Sequence, residues 1–92
     1  MSSEAEKRHM GRVAQLPCCL CGQRPVQVHH LREGGAAGAG QRARDFLTIP
    51  LCQPCHTGPM GVHGDKTMLH ANKETEHSLL AGTLERLYGG VR

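Results

Sequence analysis

Residues 3–16 carry apolar side chains at helical spacing, and Pro17 stops the run. The segment "SEAE" at residues 3–6 matches a capping box. In that motif a serine hydroxyl and a glutamate carboxylate satisfy free backbone N–H groups at the start of a helix. We therefore predict a helix near residues 3–15.

A period-two pattern follows in "VQVHHL", residues 26–31, which is typical of a strand. Successive side chains on a strand point to opposite faces, so the adjacent His29 and His30 are predicted to face different ways. A second apolar run, "FLTIPLC", spans residues 46–52, and its proline confines it to a sheet edge or a strand end. The two runs predict an antiparallel hairpin.

The C-terminal part contains a second amphipathic pattern, in "TEHSLLAGTLERLYGG" at residues 75–90. Thr75 is a suitable cap, the leucines share one stripe, and Gly89 and Gly90 end the pattern. A shorter helix is predicted within "DKTMLHANK", residues 65–73. The elements together predict a small α+β fold and a single domain over residues 1–92. Its parts are an N-terminal helix (1–16), a core (17–67) and a C-terminal helical segment (68–92).

Composition limits how such a fold can be stabilised. The chain has 92 residues, no Trp, one Tyr, one Phe and 12 glycines, so an apolar core alone is a weak support. The formal charge of +3 is compatible with nucleic acid but does not indicate it alone. No signal-peptide pattern is present and no apolar run approaches the ~18 residues of a membrane span, so we expect a cytoplasmic protein without a membrane partner.

Four of the five cysteines form two Cys-x-x-Cys pairs. Each pair lets two thiolates reach one ion from a single turn, and two pairs complete a tetrahedral zinc site. A cytosolic context favours zinc over disulfides, with free structural or redox thiols as the alternative. The predicted structural Zn²⁺ ligands are Cys18, Cys21, Cys52 and Cys55, and Cys19 is left without a function.

Four of the seven histidines lie in or next to the predicted hairpin: His29, His30, His56 and His63. A lone strand histidine is more often a structural residue than a ligand. The grouping changes this expectation, because His56 directly follows Cys55 and a zinc ion would fix its position. A module that only binds would need the cysteines but not these histidines.

At these residues the sequence resembles the HNH, or ββα-metal, endonuclease family. The matching pieces are "CCLC", "VQVHHL", "IPLCQPCH" and "GVHG", in that order. The run with the histidine pair, the glycine-rich "GQRA" segment and "IPLC" is also similar to the Ref-like phage recombination nucleases. The resemblance covers about residues 8–67 and implies a ββα-metal core with zinc knuckles.

The resemblance also implies roles for individual residues. His30 matches the general base that deprotonates the attacking water, and His29 matches a ligand of the catalytic metal. His56 and His63 match the remaining metal ligands. The central Asn of the family, which orients the base, is missing here, and we expect Asp45 to replace it as a catalytic residue.

Arginines surround the glycine-rich segment at residues 32–45. Arg32, Arg42 and Arg44 are candidate phosphate contacts, since arginine grips a phosphate with two parallel hydrogen bonds. The alternative is an ordinary solvated face. No aromatic partner for bases is expected near them, so sequence preference should be weak.

The sequence thus predicts a phage-encoded, metal-dependent HNH endonuclease that nicks or cuts DNA in the cytoplasm of a bacterial host. Its cofactors would be structural Zn²⁺ and a catalytic Mg²⁺ or Mn²⁺, with Ni²⁺ or Zn²⁺ able to occupy the same site. DNA is the expected partner, and other phage DNA-processing proteins are further candidates. Two alternatives stay open: a non-catalytic zinc-ribbon module that binds nucleic acid or protein, and a structural zinc domain of a larger assembly.

Overall fold

A computed structural model describes residues 3–32 and 44–89 of the chain. Residues 33–43 of the glycine-rich segment 32–45, with Arg42 among them, lie outside the described residues. The elements confirm a small α+β fold with a two-stranded antiparallel hairpin. In chain order they are α1 (Glu4–Ala14), β1 (Gln27–His30), β2 (Thr48–Leu51), α2 (Gln53–Thr57), α3 (Thr67–Ala71) and α4 (Glu76–Tyr88).

Helix α1 begins with the predicted capping box. Ser3 Oγ accepts from the Glu6 N–H at 3.1 Å, and the Glu6 carboxylate accepts from the Ser3 N–H at 3.2 Å. The helix buries His9 and Val13 against the hairpin and ends at Ala14, shortly before the helix-breaking proline. The cap therefore fixes Glu6, a buried carboxylate that also contacts the loop before β2.

The hairpin confirms that the two histidines differ in environment. His29 pairs with Ile49 and is buried, whereas His30 pairs with Thr48 and is partly exposed. Every residue of β2 is buried, because α1 and α4 both pack against it. Its outer edge is covered too, since the Cys19 N–H donates to the Pro50 carbonyl at 3.0 Å.

The core is aliphatic. Leu31, Ile49, Leu51 and Leu69 are its largest fully buried members, and three of the four paired cysteines are buried in the same cluster. Phe46 and Tyr88 stay outside it, both substantially exposed. Among the described residues, no helix is long and apolar enough to cross a membrane.

Candidate metal centres

The first cysteine pair lies on a tight turn after α1. The Cys18 N–H donates to the Gln23 carbonyl and the Gly22 N–H to the Cys18 carbonyl, both at 2.9 Å. Gly22 has φ 78°, a left-handed angle that residues with a side chain rarely adopt. The turn therefore depends on this glycine, and it directs Cys18 and Cys21 toward the second pair.

The second pair lies one helical turn apart, with Cys52 as the N-cap of α2 and Cys55 inside the helix. All four sulfurs, those of Cys18, Cys21, Cys52 and Cys55, lie within 4.8 Å of one another. A tetrahedral zinc ion with bonds of about 2.3 Å places its sulfurs about 3.8 Å apart, so the cluster fits that ion. The four cysteines are close enough to hold a structural metal such as zinc.

Backbone N–H groups distinguish the Cys18 thiol from the fifth cysteine, whereas burial raises the pKa of the other cluster thiols Cys21 and Cys55. Burial alone would raise the pKa of Cys18, but the N–H groups of Cys52, Cys21 and Leu20 oppose it and lower the value to about 7. Burial raises the pKa of Cys19 to about 12, so that thiol keeps its proton. Cys18 is thus prepared for metal binding, and Cys19 is not part of the cluster.

The second cluster consists of His29 on β1, His56 on α2 and His63 on the loop after α2. His29 Nδ1 and His56 Nε2 lie 3.2 Å apart, all three ligand nitrogens lie within 4.8 Å of one another, and the ring centroids are 4.7–5.0 Å apart. Metal–nitrogen bonds of about 2.0–2.1 Å require nitrogens about 3–3.5 Å apart. The cluster therefore fits a divalent ion held by three protein ligands, the number typical of catalytic sites.

His63 reaches the cluster because the loop folds back on α2. The Val62 N–H donates to the Cys55 carbonyl at 2.9 Å, and the His63 N–H donates to the His56 carbonyl at 3.0 Å. A Cβ at Gly61 would lie 2.6 Å from the Cys55 carbonyl oxygen, so a larger residue would push the loop away. The seven-residue separation of the two histidines is thus bridged by a glycine-dependent turn rather than by a helix.

Second partners orient the ligand imidazoles. His29 Nε2 contacts the Glu76 carboxylate, a hydrogen-bond acceptor, so the proton lies on Nε2 and Nδ1 presents its lone pair to the cluster. His56 Nδ1 donates to Gln27 Oε1 at 2.7 Å, which leaves Nε2 free in the same way. Burial, assisted by the nearby His29 and His63, lowers the pKa of His56 to about 4 and keeps it neutral, as a metal ligand must be.

Sequence reasoning missed Glu76, as it missed Gln27. Glu76 is 1% exposed at the first turn of α4, and its other oxygen accepts from the Arg32 N–H at 2.8 Å. An acidic residue in that position is ordinary at any helix N-terminus, so the sequence carries no distinguishing signal. Only the fold brings it to His29, 47 positions away.

His30 lies outside the histidine cluster and has its own carboxylate. His30 Nε2 donates to Asp45 Oδ1 at 2.8 Å, and Asp45 is buried. The Asp45 N–H in turn donates to the Glu6 carboxylate at 3.2 Å, so α1 braces the pair. The structure brings together the two residues that the sequence proposed as base and base-orienting group.

Two of the three candidate arginines are described, and both are exposed. The backbone N–H of Arg32 donates a hydrogen bond to Glu76, which holds Arg32 beside the histidine cluster. The pKa of His63 is lowered mainly by burial, next by the charge of His29 and then by that of Arg32. The guanidinium Nε of Arg44 lies 3.7 Å from the Glu6 carboxylate. Both side chains are available to a polyanion near the two histidine sites.

We expect the Glu76→Gln variant to bind Mn²⁺ about 10- to 100-fold more weakly than the wild type, because the amide cannot accept from both His29 and Arg32 without turning its NH₂ group toward a donor. Calorimetric titration of Mn²⁺ measures this, since that hard ion does not compete for the cysteines. Glu85→Gln, on the exposed side of the same helix, is the control. Equal affinity in both variants would mean that Glu76 does not support a ligand.

The fold and the two clusters define a small α+β protein with candidate sites for two metal ions. The chain belongs to the family described as "Protein of unknown function (DUF968)", which matches residues 2–88. It is 40% identical over 40 residues to "Uncharacterized protein YdfU" of Escherichia coli (strain K12). That match spans 44% of this chain and 12% of the relative. No solved structure matches significantly.

Proposed function

We propose that this protein is a metal-dependent endonuclease of the HNH type that hydrolyses DNA phosphodiester bonds. The observation that carries the proposal is the division between two neighbouring strand residues. His29 joins two other imidazoles in a cluster with the spacing of a metal site, while His30 pairs with a buried carboxylate. Hydrolysis of a phosphodiester needs both a cation and a base, and one strand supplies a residue for each.

His30 acts as the general base in this proposal. Its Nε2–H is engaged by Asp45, so Nδ1 carries the lone pair that accepts a proton from water. Asp45 keeps the ring in this tautomer and orientation, and Glu6 fixes the turn that carries Asp45. The contacts support Asp45 in the orienting role of the missing asparagine.

His29, His56 and His63 would hold the catalytic ion, and Glu76 and Gln27 would keep the first two in the ligand tautomer. When bound, the ion would stabilise negative charge on the phosphate oxygens and on the leaving 3′ oxygen. Mg²⁺ or Mn²⁺ is expected from availability, whereas imidazole ligands favour Ni²⁺ or Zn²⁺ by affinity. Three protein ligands leave positions for substrate and water.

The cysteine cluster would hold a structural Zn²⁺ that joins the turn after α1 to α2. It would thereby fix Cys55 and the adjacent His56, so the structural ion would position one ligand of the catalytic ion. In this proposal the exposed Arg32 and Arg44 would contact phosphates of the DNA backbone. DNA is the proposed partner, with the enzyme encoded by a phage and acting in its bacterial host, where other phage DNA-processing proteins are candidate partners.

The second candidate is a non-catalytic zinc-ribbon module that binds nucleic acid or supports an assembly. The four-cysteine cluster together with exposed arginines would suffice for it. It gives no reason to bury His29 against Glu76, at 2% and 1% exposure, within contact of two further imidazoles. A histidine cluster in which one member, His29, is held by a buried carboxylate favours the enzyme over the binding module.

A nicking assay on supercoiled plasmid distinguishes the endonuclease from the binding module. The zinc-loaded wild type should relax the plasmid with Mg²⁺, Mn²⁺ or Ni²⁺ and leave it supercoiled without an added divalent ion. His29→Ala should lose the nicking, while His70→Ala, which changes an exposed histidine outside the cluster, should keep it. A folded protein that shifts the plasmid on a gel and never relaxes it would instead support the binding module.

A further inference from the structure

The chain places both of its aromatic side chains at the surface. It contains one Phe, one Tyr and no Trp, and Phe46 and Tyr88 are 43% and 48% exposed. A buried aromatic ring is among the largest contributors to a small core, and here aliphatic residues fill the core instead. Each of the two side chains is therefore left partly at the surface, where it can contact a ligand.

Both rings pack against one buried histidine, His9. The His9 centroid is 5.2 Å from that of Phe46 and 5.9 Å from that of Tyr88. The Tyr88 hydroxyl lies 2.8 Å from His9 Nδ1 and accepts from Arg12 Nη1 at 3.3 Å. We call His9, Arg12, Phe46 and Tyr88 the aromatic patch; it is built by α1, the turn before β2 and the end of α4.

Phe46 connects the aromatic patch, through its chain neighbour Asp45, to the proposed base His30. Phe46 directly follows Asp45, whose carboxylate accepts from His30, and Arg44 lies on the other side of Asp45. The Arg12 guanidinium carbon is 5.9 Å from the centre of the Tyr88 ring. Arg12 thus lies beside one exposed ring, and Arg44 is two residues from the other in the chain.

We propose that the aromatic patch binds unpaired nucleotides, so that the substrate is single-stranded DNA or DNA with a single-stranded segment beside the cleaved bond. This substrate assignment rests on the proposed nuclease function. Every base has a flat face that stacks on an aromatic ring, and the arginines match the phosphates between bases. Bases inside a duplex are already stacked on each other and cannot reach the rings. The flanking positive charge favours this polyanion over an apolar peptide.

The test measures binding without cleavage. Anisotropy of a labelled oligothymidylate of about 12 nucleotides is followed with zinc-loaded protein in a His30→Ala background. Adding Phe46→Ala or Tyr88→Ala should raise the Kd at least about fivefold, the loss expected when one stacked base is released. Phe46→Tyr and Tyr88→Phe keep the rings and should stay within about twofold. Binding to a duplex of equal length should change less than about twofold in all variants.

A second measurement needs no substitution. Tyr88 is the only tyrosine and the chain has no tryptophan, so its fluorescence reports this ring alone. Stacking of a base quenches it, and saturating oligothymidylate should do so while the duplex does not. The fluorescence measurement tests base stacking on Tyr88 even if an alanine variant fails to fold.

The outcomes separate the two proposals. Unchanged oligothymidylate affinity in both alanine variants, or unquenched Tyr88 fluorescence at saturation, would overturn the aromatic patch even if the enzyme cuts plasmid. Binding through the rings by a protein that never cuts would overturn the nuclease proposal and leave the patch intact.

Discussion

We expect His30→Ala to slow plasmid nicking by at least about 100-fold while the fold and the zinc content stay unchanged. The imidazole is partly exposed at the end of β1, and its described side-chain contact is with Asp45, so its removal leaves the histidine and cysteine clusters in place. What it removes is the Nδ1 lone pair beside them. Single-turnover nicking with Mg²⁺ or Mn²⁺ gives the rate, and circular dichroism and metal analysis check the protein.

Asp45 supplies the matched comparison for this base. Asp45→Asn keeps an oxygen that can accept from His30 Nε2, and an asparagine is what the resembled family has in the orienting role. It should retain activity within about tenfold of the wild type, whereas Asp45→Ala should approach the loss seen for His30→Ala. If His30→Ala nicks at the wild-type rate, another group takes the proton. If the two Asp45 variants are equally impaired, the carboxylate charge rather than orientation matters.

Local patterns explain why much of the fold could be predicted. The capping box at Ser3 and Glu6 and the cap at Thr75 depend on contacts three residues apart, and both form as predicted. The separation of His29 from His30 follows from the two-residue period of a strand. Each of these features is determined within a few residues, so the sequence suffices.

Contacts between distant segments explain what could not be predicted. Glu76 meets His29 only because α4 packs on the hairpin, and the periodicity of that helix gives no reason to single it out. The backward fold of the loop that presents His63 depends on close backbone approaches at Gly61, which a count of residues does not reveal.

The same limit applies to the aromatic side chains. The sequence gives no reason to group one Phe and one Tyr that lie 42 positions apart. In the structure α1 brings Arg12 against Tyr88, and both rings pack against His9. The residues that the sequence does group are close along the chain. Each cysteine pair lies within one turn, and His29 and His30 are neighbours on one strand.

The cysteine cluster carries the other large expected effect, which is on stability. We expect Cys52→Ser to lose the bound zinc and the cooperative thermal transition. Structural zinc contributes about 10–16 kcal/mol to the folding of small zinc domains. That is comparable with or larger than the ~5–15 kcal/mol total stability of a typical domain. An aliphatic core with no buried Phe, Tyr or Trp offers little to replace it.

The position of Cys52 makes the serine variant a sharp test. Cys52 is the N-cap of α2 and makes no side-chain cap hydrogen bond, whereas serine is among the best N-cap residues. The substitution therefore favours the helix locally, by about 1 kcal/mol, and a loss of folding has to come from the missing thiolate. Cys19→Ser is the control, because that thiol lies outside the cluster and keeps its proton.

Zinc analysis of the purified proteins and thermal melts followed by circular dichroism measure both effects. The wild type and Cys19→Ser should retain zinc at the cysteine cluster and melt cooperatively, and a chelator should abolish the transition of each. Cys52→Ser should behave like the chelated wild type. A zinc-free Cys52→Ser protein that melts cooperatively near the wild-type temperature would show that the aliphatic core folds unaided, and the positioning of His56 would then have to come from α2 and its contact with Gln27.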